Sequence, residues 1–159
     1  MDRGAGHAKR RTLRDSATRG QPLRRGPLQG ADMQPLKPKV RATIVCIRHG
    51  RVLLVSKDGV RWALPGGRPG KQESPEETAR RELQQETALE TKALVGVFQF
   101  IGATTVHHVF TAAIDASARP KAGHEIKSLQ WLPHEKLGEV EISATTRQIV
   151  SQFFQTDTR

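Results

Sequence analysis

Residues 67–89 read GRPGKQESPEETARRELQQETAL. Ser74 is a good helix N-cap, Pro75 suits the first helical position, and Glu77, three residues past the serine, completes a capping box. The pattern predicts a helix from about Pro75 to Thr87. Residues three and four apart share a helical face, so Glu82, Gln85 and Glu86 point towards one small volume. Ala79 and Leu83 fall on another stripe and can anchor the helix to a core. Glu73 precedes the N-cap, where the positive end of the helix dipole favours a carboxylate. Carboxylates crowded on one face repel each other, and a fold tolerates them best with a cation between them. A divalent ion such as Mg²⁺, held by a few carboxylates, usually also holds a phosphate. The stretch therefore marks a site for phosphate chemistry, with Gly66-Gly67 letting the backbone approach closely.

Outward from this helix the chain reads as compact α/β. Val40–Arg48 is apolar and β-branched, His49-Gly50 is a turn, and Arg51–Lys57 is a second strand, together predicting a hairpin. Asp58-Gly59 signals another turn, and Trp62-Ala63-Leu64 a short strand running into Pro65-Gly66-Gly67. Thr91–Ile101 and Thr105–Ile114 read as strands joined at Gly102-Ala103, and Ile126–Leu132 as one more. Ile149, Val150, Phe153 and Phe154 recur at helical spacing within Ser143–Phe154 and predict a closing helix packed on the sheet.

The same 23 residues resemble the box of the Nudix hydrolases, G-x5-E-x7-R-E-U-x-E-E-x-G-U, with U aliphatic. Gly67, Glu73, Arg81, Glu82, Leu83, Glu86 and Leu89 fall on it in register, seven of nine defined positions. Gln85 departs from it, standing where the first glutamate of the pair belongs, and Ala88 replaces the final glycine. The resemblance covers about 40–155. It implies an α/β/α sandwich, a mixed sheet between helices, and Mg²⁺-dependent (or Mn²⁺-dependent) hydrolysis of a diphosphate in a nucleoside diphosphate derivative. It also implies that Arg81 and Glu73 brace the Gly67 loop against the helix, and that the Gly66 carbonyl is a metal ligand. A further family feature, a glutamate in the loop before the late strand, matches Glu125 in AGHEIKSLQWLP. That residue is expected as a metal ligand or general base.

The site residues expected on these grounds are Glu82, Glu86, Glu125 and Arg81 for catalysis. Gly66, Glu82, Gln85 and Glu86 are expected for the metal, and Gly67 and Glu73 for bracing. Glu82 can also orient or deprotonate the attacking water. Gln85 keeps an oxygen acceptor but loses a charge and cannot act as a base, so a higher Mg²⁺ requirement is expected. The alternative is a degenerate domain that binds a nucleotide without cleaving it. The candidate substrates are oxidised or ordinary nucleoside triphosphates, ADP-ribose, nucleotide sugars and dinucleoside polyphosphates; a triphosphate is favoured, because no second substrate domain is present. Each residue also has a structural reading: helix-face ion pairs for Glu82 and Glu86, a plain loop carboxylate for Glu125, strand residues for His107-His108 with substrate contact as rival. Trp62, Phe98, Phe100 and Trp131 read as core, one of which could stack on a base.

Composition bounds the rest. At 159 residues the length fits one domain. The formal charge of +10 is uneven: residues 1–39 hold ten Lys/Arg and three Asp, residues 40–159 sixteen Lys/Arg and thirteen Asp/Glu. Residues 1–38, rich in Arg, Gly, Pro and Gln, read as a disordered basic tail ahead of a domain from residue 39. Met33 is an alternative start, and nucleic-acid contact through the tail is a weaker alternative to none. Cys46, the single cysteine, sits in an apolar run and excludes an internal disulfide. No run approaches the ~20 apolar residues of a membrane span, and a cytoplasmic location is expected. No oligomeric state is specified.

Overall fold

The run ATIVC is apolar at every position but Thr43, which suits a strand covered on both faces. In the computed structural model, which describes residues 37–157, all five of its residues are buried. They belong to β1 (Lys39–Val45) and its continuation, followed by β2 (Ile47–Arg48), β3 (Arg51–Ser56), β4 (Arg61–Trp62) and β5 (Gly66–Gly67). Helix α1 (Pro75–Thr87) leads to β6 (Ala93–Ile101), β7 (Thr105–Ala113) and β8 (Ser128–Pro133). A 3₁₀ turn over His134–Glu139, then β9 (Glu141–Ile142) and α2 (Ala144–Asp157), complete the order.

The strands form a four-stranded sheet in the order β5-β1-β7-β6, a three-stranded sheet β2-β3-β8 and a two-stranded pair β4-β9. β1 runs parallel to β7 over seven residue pairs, from Lys39 opposite Thr105 to Val45 opposite Thr111, and antiparallel to β5. This corrects the expected hairpin. Only Ile47 and Arg48 pair with Val52 and Arg51, across a turn in which His49 and Gly50 both have positive φ (50° and 72°), as a two-residue hairpin loop demands. Before Cys46 the chain leaves for the other sheet, where parallel pairing with β7 buries both of its faces.

Strand alternation divides the core in two. Ala42, Ile44, Cys46, Leu53, Phe110 and Ala112 pack with Ala79 and Leu83 of α1. Val45, Val52, Leu54 and Val109 pack with Ile149, Val150 and Phe153 of α2. The sheets thus lie between the two helices, the α/β/α sandwich expected. Cys46 is fully buried, and burial pushes its thiol pKa up to about 12, so it serves as a small core residue. Among the described residues no helix is long and apolar enough to cross a membrane. The expectations for the tail and for Met33 fall, except at Lys37 and Pro38, outside the described residues.

Candidate active site

Helix α1 begins and ends where its local chemistry says. The Ser74 hydroxyl accepts from the Glu77 amide at 3.1 Å and the Glu77 carboxylate from the Ser74 amide at 2.9 Å, closing the capping box. At the other end Ala88 takes the left-handed conformation (φ 61°), with its N–H donating to the Gln84 carbonyl. Ala79 and Leu83, both fully buried, fix the helix rotation, so the adjoining stripe with Glu82 and Glu86 faces the Gly66-Gly67 strand.

Arg81 organises that stripe. Its Nε donates to Glu73 Oε2 and its NH2 to Glu73 Oε1, each at 2.8 Å, while NH1 donates to Glu82 Oε1 at 2.8 Å and to Gln85 Oε1 at 3.3 Å. The Gly70 amide and the Thr78 hydroxyl complete the shell of Glu73 Oε1. Hydrogen bonds from Arg81 first, then from Gly70 and Thr78, hold the Glu73 carboxyl down to about 2.

Glu86 is the one buried carboxylate among the described residues, at 8% exposure. Its Oε1 accepts from the Gly66 amide at 2.9 Å. Burial pushes its carboxyl pKa up and the charge of Glu82 adds to this, while the Gly66 hydrogen bond, Arg41 and Lys57 pull it down. Two glycines make the approach possible. A Cβ on Gly66 (φ 156°) would overlap the Ala42 carbonyl oxygen, and one on Gly67 would overlap the Glu82 carboxylate.

Glu86 opens into a cavity of about 260 Å³ lined by the cations Arg41, Lys57 and Arg61, with Asp58 and Trp62 beside them. Arg41, Ala63 and Leu64 also line an adjoining cavity of about 390 Å³. Its other walls are polar: Thr43, His107, Ser143, Thr145 and Thr146, closed by Ile149 of α2. Thr43 Oγ1 and His107 Nδ1 are hydrogen-bonded at 3.0 Å, and burial, then Arg41, lowers the His107 pKa.

Gly66, Gly67, Glu73, Arg81, Glu82, Gln85 and Glu86 are therefore gathered as the sequence pattern required. Glu125 stands apart. It is exposed, does not line the Glu86 cavity, and pairs with Lys57 Nζ at 3.0 Å, which keeps its carboxyl below the usual range. Its loop is nonetheless latched to the end of α1, by Gly123 N–H to the Glu86 carbonyl and Lys121 N–H to the Thr87 carbonyl. Arg41, Thr43, Lys57 and Arg61 escaped the sequence reading. Alternation along β1 separates Arg41, Thr43 and Val45 from Ala42, Ile44 and Cys46, but which face meets a cavity depends on β7 and α2.

Among the described residues no three His, Cys, Asp or Glu side chains cluster as a metal site. The donors available are two carboxylates, Glu82 and Glu86, with the Gln85 amide oxygen and the Gly66 carbonyl. All are hard oxygens, the set that suits Mg²⁺ or Mn²⁺. A cation there would also offset the mutual repulsion of Glu82 and Glu86.

The chain is similar to known proteins in both sequence and fold. The family model described as NUDIX domain matches residues 37–153. A Bacillus subtilis (strain 168) protein, provisionally named as an 8-oxo-dGTP diphosphatase, is 34% identical over 109 residues, covering 67% of this chain and 73% of its own. The crystal structure of a MutT NUDIX hydrolase from Burkholderia pseudomallei superposes with a TM-score of 0.61 at 25% identity, covering 74% of this chain and 98% of that one. A provisionally described nudix hydrolase family member from Chromobacterium violaceum gives a TM-score of 0.67 at 22% identity, over 77% and 80% of the two chains. The chain belongs to the NUDIX family and is a Nudix-type pyrophosphohydrolase, an enzyme acting on acid anhydrides.

Proposed function

We propose that this enzyme hydrolyses a diphosphate linkage of a nucleoside triphosphate, with an oxidised purine nucleotide such as 8-oxo-dGTP as the leading substrate. The observation that carries the reading is the placement of Glu86 and Glu82 against the Gly66-Gly67 backbone, beside two joined cavities of different character. The cationic one, with Arg41, Lys57 and Arg61, suits the phosphates. The hydroxyl-lined one, near the size of a small-ligand pocket, suits the base and sugar, with His107 and the Thr43, Ser143 and Thr146 hydroxyls able to read a base edge. The name of the Bacillus subtilis relative supports the oxidised purine.

Glu82, Gln85, Glu86 and the Gly66 carbonyl would hold Mg²⁺. Bound there, the ion supplies positive charge against the phosphate oxygens and lowers the pKa of a nearby water. Glu82 orients that water and takes its proton as the water oxygen bonds to phosphorus. The bridging P–O bond then breaks, its electron pair leaving with the departing phosphate. Arg81 and Glu73 hold Glu82 in place, and Lys57, kept over the cavity by Glu125, meets the phosphate charge.

One observation favours a second reading, a domain that binds nucleotide without cleaving it: Gln85 leaves the stripe with two carboxylates. Hydrolysis of 8-oxo-dGTP, dGTP, ADP-ribose and a nucleotide sugar with Mg²⁺ or Mn²⁺, with Glu86→Gln in parallel, decides between the two. Turnover that Glu86→Gln removes supports the enzyme and names its substrate. Saturable binding of 8-oxo-dGTP with no turnover of any substrate would establish the second reading.

A further inference from the structure

The turn that closes β2 onto β3 carries an arrangement that the hydrolytic site does not use. In its register Arg48 directly faces Arg51, and like charges in a directly opposed cross-strand pair destabilise a sheet. Arg48 is relieved of this. Its NH1 and NH2 donate to the Ala118 and Asp115 carbonyls at 2.8 and 2.9 Å, and its guanidinium lies 4.9 Å from the centre of the Trp131 ring. Arg51 has no such relief. Among the described residues no carboxylate pairs with Arg51 or with Arg119.

Strand register explains why these groups converge. Arg51, Leu53 and Val55 share one face of β3, and their partners Pro133, Trp131 and Leu129 share that face of β8. Arg48, by gripping the carbonyls of Asp115 and Ala118, draws the following segment with Arg119 and Pro120 over the same end. The result is a cavity of about 680 Å³. One wall is apolar and partly aromatic, from Pro120, Leu129 and Trp131; the other is cationic, from Arg48, Arg51 and Arg119, with His49 at the turn. No carboxylate lines it, and it shares no residue with the Glu86 cavity. Arg51 opens β3 and Lys57 directly follows its far end, about 20 Å of extended chain away.

A cavity of this size falls in the small-ligand range. Half flat and apolar, half cationic, it matches a ligand divided the same way. We propose that it is a second, non-hydrolytic site for a nucleoside phosphate. The Arg51 and Arg119 guanidinium groups take the phosphates, whose geometry a guanidinium fork matches, and the base lies along the Trp131–Leu129 wall. An anion here also supplies Arg51 with the counter-charge that no carboxylate among the described residues provides. The site requires neither a metal nor turnover at Glu86, and it stands or falls apart from the substrate assignment above.

The chain has two tryptophans, Trp62 beside Glu86 and Trp131 in this cavity, so Trp62→Phe leaves Trp131 as the single reporter. The full chain carrying Trp62→Phe is titrated in EDTA with ATP, with inorganic pyrophosphate, and with a short single-stranded oligodeoxynucleotide. The expected result is a saturable change in Trp131 emission with ATP and a weaker one with pyrophosphate. Adding Arg51→Gln or Arg119→Gln should raise the ATP dissociation constant on the order of tenfold each, the scale of one charge-assisted contact. Calorimetric titration of ATP into the otherwise unaltered chain, with and without the two arginine substitutions, gives the same comparison should Trp62→Phe fail to fold. Both arginines are exposed, so their replacement leaves the fold and hydrolysis intact. No response to ATP up to millimolar concentration, or a response that survives both arginine substitutions, would overturn the proposal. A response to the oligonucleotide alone would also overturn it, marking a nucleic-acid surface instead.

Discussion

Arg81 grips both carboxylate oxygens of Glu73 at 2.8 Å, eight residues back along the chain, and its remaining nitrogen holds Glu82 at the same distance. One planar fork thereby ties the loop before α1 to the helix and sets the rotamer of the carboxylate that faces Gly67. Lysine has the charge but not the fork.

Arg81→Lys should therefore lower kcat by roughly 10–100-fold, the scale of losing a group that orients a ligand, with a smaller effect on KM. Steady-state kinetics on the best substrate tests this, and an unchanged kcat would show that Glu82 is placed without the latch. The latch should also be acid-resistant. The Glu73 pKa is lowered to about 2, so its stabilisation is present above the ordinary glutamate range and is lost only as pH falls towards 2. Thermal unfolding from pH 6 to pH 2.5 should show that loss in the unaltered protein and not in Glu73→Gln, which is less stable throughout.

Glu86 makes the opposite trade. Burial raises its pKa, so the charged form is disfavoured in the fold; stability is present while the group is protonated and falls as pH rises through its raised pKa. Glu86→Gln keeps an acceptor for the Gly66 N–H and removes the charge. In EDTA at pH 8 its Tm should exceed that of the unaltered protein, while hydrolysis is lost. A lower Tm for the variant would mean that Glu86 is stabilised as a carboxylate by its neighbours.

Gln85→Glu restores a third carboxylate beside Glu82 and Glu86. It should lower the Mg²⁺ concentration giving half-maximal rate, on the order of tenfold for one added charged contact, with the substrate KM changed little. An unaltered Mg²⁺ dependence would place Gln85 outside the metal's reach, as a partner of Arg81 only.

Ala88→Gly is a test of backbone strain alone. Ala88 is exposed with φ 61°, a conformation costing L-residues about 1–2 kcal/mol relative to glycine. Net stabilisation of about 1 kcal/mol should raise Tm by about 2–4 °C without altering kinetics. A fall in Tm would show that unfolded-state flexibility outweighs the relieved strain.

Much of the site was legible because it is written locally. Ser74, Pro75 and Glu77 cap a helix whose bounds, Pro75–Thr87, match the reading made from those residues. Its 3.6-residue period sets Ala79 and Leu83 on a core-facing stripe and brings Glu82, Gln85 and Glu86 together beside it; that they meet Gly66-Gly67 was implied by the family resemblance and is seen in the structure. His49-Gly50 and Asp58-Gly59 likewise mark real turns, with Asp58 Oδ1 accepting from the amides of Val60 and Arg61 at 2.8 Å. In each case the interacting groups lie within four residues, and side-chain chemistry determines backbone conformation directly.

The surroundings of the site were decided over longer distances. β1 abandons its hairpin partner to run parallel with β7, more than sixty residues away, because only there are both faces of ATIVC covered. That choice brings Arg41 and Thr43 opposite His107 and Val109 and builds the hydroxyl-lined cavity under α2. The pairing of β3 with β8 sets Arg51 beside Trp131 in the same way, and the loop latched to α1 gives Glu125 to Lys57. The sequence by itself thus determined a capped helix with its row of acids and the glycines that meet it. Tertiary structure decided which charges surround them, since strand pairing follows the burial of whole faces, and burial is a property of the assembled sheets.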